Sequence, residues 1–176
     1  MDSILTGEVH YTDPSAKMDI VNSITAGEED YAKLAYTLVD NDGYGYIGIN
    51  GQFFPEWQVR KAIASSMNTA LCLDYYGELA TNNFRTMTKI QWAYPENPEN
   101  LFPYDGTGAT SKALFLEVGY VYDEATNVMS YPATNEKDGQ QVTIKATLPM
   151  DAEDHPAGAV LLDAQKVLAS IGVVLN

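Results

Sequence analysis

The sequence predicts an α/β protein, helices packed against a mixed sheet, and three observations carry that prediction. Strand-like and helix-like hydrophobic patterns alternate along the chain. The segment VTIKATL alternates strictly, with apolar residues at Val142, Ile144, Ala146 and Leu148, which marks a half-buried strand. The next pattern, apolar at 157, 160, 161, 164, 167, 168 and 171, is helical and runs into GVVLN, so residues 142 to 175 predict a crossover that brings two parallel strands together. With 176 residues, 45% of them apolar, the chain is long enough to bury the core such layers need.

Met18 to Gly27 predicts a short helix with Ile20, Val21 and Ile24 on one side and Gly27 as its stop. LAYTLV predicts a strand ending at an Asn41-Asp42-Gly43 turn, where asparagine and glycine suit positive φ, and YGYIGI predicts the next strand. Glycines 45 and 48 leave one face of that strand bare, so another backbone is expected close by. A long helix is expected over Glu56 to Tyr76, where Val59, Ile63, Met67, Leu71 and Tyr75 recur every four residues before Gly77. Thr81 to Gly108 is proline-rich, aromatic and aperiodic, so it predicts a long irregular connection, with at least half of Trp92, Tyr94, Phe102 and Tyr104 anchored in the core. TSKALFLEVGY predicts a helix with Thr110 as N-cap, a stripe of Ala113, Leu114 and Val118, and Gly119 as terminator. The last helix has Pro156 in its first turn and Gly172 after it.

Charge and motif content remove most function classes. Ten basic against 24 acidic residues give a formal net charge of −14, which repels nucleic acid and anionic lipid. No run approaches the roughly 20 apolar residues that span a bilayer. Cys72 is the single cysteine and has no partner for an internal disulfide. Glycine-rich phosphate loops, G-x-S-x-G and H-E-x-x-H are all missing from the sequence, and His10 and His155 lie far apart. Paired carboxylates such as Glu28 with Glu29 fall in polar connectors rather than in a dyad. No catalytic residue, metal ligand or cofactor is expected.

One stretch, VDNDGYGYIGIN, mimics the start of a calcium loop. With Asp40 as first ligand and Asp42 as third, Tyr44 takes the fifth position and Gly51 the twelfth, where a bidentate glutamate belongs. A strand pattern also begins inside the supposed loop. The stretch therefore predicts a solvated turn entering a strand.

The same stretch, together with the residues after it, carries a resemblance. Tyr46 to Asn50 (YIGIN), Val59 to Ile63 (VRKAI) and Tyr76 to Ala80 (YGELA) resemble the Y-I-G-F-N strand, V-R-x-A-I helix and Y-x-G-x-A segments of the family 5 bacterial extracellular solute-binding proteins, the peptide- and nickel-binding components of ABC importers. ILTGEVHYTDP is similar to the family's L-x-x-G-E-x-D strand, with His10 where an acid is usual, and PYDGTGATSKALFLEVGY and LLDAQKVLASIGVVL resemble its later helices. The spacer from Asn50 to Arg60 is shorter than the family's, and Asn68 and Thr69 stand where a D-R pair is usual.

The resemblance implies part of a two-lobed, periplasmic-binding-protein-like fold in a piece of a longer chain. Residues 1–43 would end a first-lobe segment, 44–52 form the hinge strand, and 53–176 begin the second lobe. It implies no enzymatic activity, a small solute such as an oligopeptide as ligand, membrane permease subunits as partners, and a lipid-anchored location in the periplasm or on the outer face of the membrane. Asn50, Gln52, Phe53 and Trp57 are the expected ligand-binding residues; Arg60 is expected to form a salt bridge across its helix. The alternative is an extracellular carbohydrate-binding module or hydrolase domain, with Trp57, Trp92 and Tyr94 stacking on a sugar.

Overall fold

A computed structural model describes residues 2–13 and 18–176. Helices α1 (Asp2–Leu5) and α2 (Met18–Ala26) precede a long stretch without regular structure, after which come α3 (Trp57–Ser65), α4 (Leu71–Tyr76) and α5 (Ala109–Glu117). An antiparallel hairpin, β1 (Val121–Asp123) with β2 (Val128–Ser130), leads to β3 (Thr143–Ile144), α6 (Gly158–Ser170) and β4 (Val174–Leu175).

The crossover is parallel, as its hydrophobic period requires: Thr143 pairs with Val174 and Ile144 with Leu175. Val142 and Ile144 are buried while Thr143 and Lys145 are exposed, the in-and-out alternation of a strand with one covered face. The hairpin joins this pair through a Ser130–Gln141 bridge and a Met129 N–H donated to the Gly172 carbonyl at 3.0 Å. An antiparallel pair and a parallel pair thus lie side by side and form the strand layer. Helix α5 packs on β1 and α6 on β4, and α3 packs on α5; Val59, Ala62 and Ile63 of α3, Phe115 of α5, and Val160, Ala164 and Leu168 of α6 share one core with Met129, Val142, Val173 and Leu175. Phe115 stacks edge-on against Tyr120 with ring centroids 5.1 Å apart, and Tyr120 lies 5.6 Å from Tyr131.

Several expectations are corrected. LAYTLV and YGYIGI join no ladder among the described residues, and ILTGEVHYTDP begins as α1 rather than as a strand. Leu38 and Val39 are exposed, so the apolar pattern there has nothing to pack on. Ile47 and Ile49 do lean on the core two residues apart, but no neighbouring strand receives their backbone groups. Nor does a backbone approach the glycines of this stretch: a Cβ on Gly45 would meet nothing within 4 Å, and one on Gly48 only the Tyr46 ring at 3.9 Å.

The long helix breaks between Ser65 and Leu71. Ser66 donates its hydroxyl to the Ile63 carbonyl at 2.7 Å, and Asn68 Oδ1 accepts the Ala70 N–H at 3.3 Å, so short polar side chains replace the helical ladder. The apolar stripe thus ends in Tyr75, nearly half exposed. In α5 the inward residues are Ser111 and Phe115 rather than Ala113. Thr110 is not the cap. The Asp105 carboxylate accepts the N–H groups of Thr107, Gly108 and Thr110 at 2.9, 2.8 and 2.8 Å, and the Thr110 hydroxyl foremost, then these amides, holds it well below the usual carboxylate range.

The irregular connection is present, but none of its four aromatics is buried. Trp92 is 95% exposed, Tyr94 accepts the Phe84 N–H on its hydroxyl at 3.4 Å, and Tyr104 donates to Asp163 Oδ2 at 2.7 Å. Hydrogen bonds tie this segment down where apolar burial was expected.

Candidate binding site

The expected ligand-binding residues fall in one span, Asn50 to Trp57, that enters α3. Asn50 builds a turn: its Oδ1 accepts the Gln52 N–H at 2.9 Å and its carbonyl accepts the N–H groups of Phe53 and Phe54 at 3.2 Å each. The turn sends neighbouring rings in opposite directions, Phe54 into the core and Phe53 outward at 71% exposure. Arg60 closes the span. Its Nη1 donates to the Phe54 and Pro55 carbonyls at 2.8 and 2.6 Å, so the guanidinium clamps the spacer backbone instead of pairing with a carboxylate across the helix. Gln52, Phe53 and Trp57 are left facing solvent in a braced segment, whereas the Asn50 side-chain oxygen is already engaged.

A second grouping lies where the 40–44 turn meets the long loop. Gly43 donates its N–H to Asn41 Oδ1 at 2.6 Å, an Asx turn. Neither Asn41 nor Gly43 has positive φ, so the side chain and not left-handed backbone makes the bend. Asp42, expected to be merely solvated, accepts hydrogen bonds on Oδ1 from the Thr88 hydroxyl and from Gln91 Nε2, the latter at 2.9 Å. These bonds, Thr88 first, lower the pKa of the carboxyl. Tyr44 donates to the Thr86 carbonyl at 3.2 Å, and Asp42, Tyr44, Met87, Thr88, Gln91 and Ala93 line an open depression of about 280 Å³. Sequence reading missed Thr88 and Gln91, because a contact across more than 40 residues into an aperiodic loop has no local signature.

A depression of about 260 Å³ lies beside β4. Three of its four amide side chains serve as braces: Asn127, Gln141 and Gln165 donate to the carbonyls of Ala169, Gly172 and Leu175 at 3.1, 3.0 and 2.7 Å. Tyr120 is buried in the core and pushed up to about 12, first by burial and then by Glu56 and Tyr131. His155 accepts the Ala157 N–H on Nδ1 at 3.1 Å and so forms the entry to α6. Among the described residues no group of three or more His, Cys, Asp and Glu is placed to hold a metal ion, and no helix is long and apolar enough to cross a membrane. What these surfaces offer a ligand is exposed rings, an amide and a carboxylate.

No protein-family model and no curated protein sequence matches the chain. Among solved structures, the oligopeptide-binding protein AppA from Bacillus subtilis, in complex with a nonapeptide, superposes with a TM-score of 0.57 at 17% identity. The superposition covers 94% of this chain and 34% of that one, so the chain spans about a third of its length. At that identity the likeness is one of fold. The chain has the mixed α/β architecture of a fragment of a periplasmic-binding-protein-like fold.

Proposed function

We propose that this chain is part of the substrate-binding component of an ABC importer, one that captures oligopeptides or similar small solutes and hands them to membrane permease subunits. The observation that carries the reading is the superposition of nearly the whole chain on a peptide-bound binding protein. The ordered motifs from YIGIN to the final helix and strand add support. In this reading residues 1–43 close a first-lobe segment, 44–52 cross between lobes, and 53–176 begin the second lobe. The work takes place in the periplasm or on the outer face of the membrane, with a lipid anchor, and the chemistry is capture rather than bond breaking.

The physical case rests on how a cleft binds peptides. Exposed backbone and aromatic surfaces grip an extended chain with little regard to its side chains, and a hinge between lobes encloses it. The segment Tyr44 to Asn50 has no ladder partner, and Gln52, Phe53 and Trp57 project from a span braced by Asn50 and Arg60. Those residues are assigned to the cleft wall, with Asn50 setting the turn that presents them.

The test is thermal unfolding of the polypeptide encoded by the complete reading frame, with and without a mixture of short peptides. Binding to the native state raises the melting temperature as ligand exceeds its dissociation constant. A rise with peptides supports the reading. A rise with oligosaccharides and none with peptides overturns it in favour of a carbohydrate-binding module.

A further inference from the structure

We infer that the depression around Asp42 is a binding site for a primary alkylammonium group. The inference goes beyond solute capture as proposed above, since a charged amine can dock here whether or not a peptide is enclosed elsewhere. Asp42 Oδ1 is saturated by two donors from the long loop, Thr88 and Gln91, which fix the carboxylate in place. Oδ2 has no hydrogen-bond partner among the described residues. Beside it the depression of about 280 Å³ is walled by Tyr44, Met87 and Ala93. Tyr44 is itself held, through its hydroxyl, by the Thr86 carbonyl, and the Tyr46 ring lies 6.2 Å from it.

The composition of the wall selects the kind of cation. Calcium and magnesium need six or more oxygen ligands or a shell of retained water, and here a single carboxylate oxygen is left at the edge of an open depression that Tyr44, Met87 and Ala93 line along with Thr88 and Gln91. An alkylammonium needs one good acceptor for its N–H groups, a ring face for its charge and apolar surface for its chain. The net charge of −14 adds a long-range attraction for any cation. The acid that mimicked a calcium ligand in the sequence is thus placed to hold an organic cation.

The experiment is an amide-resolved NMR titration of the 176-residue chain with n-butylammonium, with n-butanol, calcium and trialanine amide as separate arms. The amide signals of Asp42–Tyr44 and Met87–Gln91 should shift with n-butylammonium and not with n-butanol, and Asp42→Asn should weaken the binding by about fivefold while core signals such as Val142 and Ile144 stay in place. Trialanine amide shifting the same signals at lower concentration than n-butylammonium identifies a peptide amino end as the source of the ammonium, and the reverse order identifies a free amine. Equal shifts with n-butanol, no shift with n-butylammonium, calcium moving these signals at lower concentration, or Asp42→Asn binding as tightly as wild type would each overturn the assignment.

Discussion

The two ends of the molecule are built differently. Every fully buried residue lies at or after Phe54; before it, among the described residues, side chains are exposed or only partly buried. Both halves contain amphipathic patterns of similar quality, including the helix α2 with Ile20, Val21 and Ile24 on one side. The difference is the partner. From Phe54 onward the inward faces of α3, α5 and α6 meet in one core, whereas Leu38, Val39 and Tyr46 stay exposed. Periodicity proposes an element, and packing decides whether its apolar face is buried.

Substitutions should sharpen that contrast. The largest effect is expected at Phe115 of α5, fully buried with its ring against Tyr120: Phe115→Ala should cost about 3 to 5 kcal/mol by denaturant unfolding. Leu38→Ala, at a side chain 67% exposed, should change stability by less than about 0.5 kcal/mol. If the two cost the same, the division into packed and unpacked regions is wrong.

Glycines offer the same comparison on the backbone. Gly172 has φ of +79°, and a Cβ there would sit 2.6 Å from the Met129 nitrogen and 2.8 Å from the Asn127 carbonyl oxygen, where the hairpin crosses the end of α6. Gly172→Ala should therefore destabilise by more than about 1 kcal/mol, and Gly45→Ala, with open space around it, should be close to neutral. A neutral Gly172→Ala would mean that the hairpin does not seat on α6.

A smaller effect is expected at the Asp105 cap. Asp105→Ala should cost about 1 kcal/mol. Because the folded carboxyl titrates below its unfolded value of about 4, its contribution is complete above that pH and declines as pH falls through the folded value. Wild type should accordingly lose more stability than Asp105→Ala on acidification below about pH 4, measured by urea unfolding across the range. Tyr120 acts at the other extreme. Its pKa of about 12 lies above the unfolded value of about 10, so stability falls as pH rises between the two, and Tyr120→Phe should reduce that alkaline loss.

How much of this is legible in sequence obeys the same division. The strand at Val142 and Ile144, helix α6 and the parallel return are readable because local period and tertiary environment agree. The hairpin is harder. Its strands are three residues each, and its turn depends on Asp123 accepting from Ala125 and Thr126 and on Asn127 at φ of 51°, a conformation few residues other than glycine tolerate. The break after Ser65 hides because Met67 and Leu71 keep the four-residue spacing while Ser66 and Asn68 divert the backbone. Within the candidate site, the span Asn50 to Trp57 can be picked out from its motif, but the clamp by Arg60 and the tether of Asp42 to Thr88 depend on folding that no local pattern encodes.

In the proposed reading the open region serves a ligand and the packed region stability. Hydrogen exchange on the complete gene product, with and without saturating short peptides, tests it most directly. Amides from Tyr44 to Trp57 should gain protection on adding peptide while those of β3, α6 and β4 stay unchanged. No change in the Tyr44–Trp57 segment, or protection there by oligosaccharides and not by peptides, would contradict it.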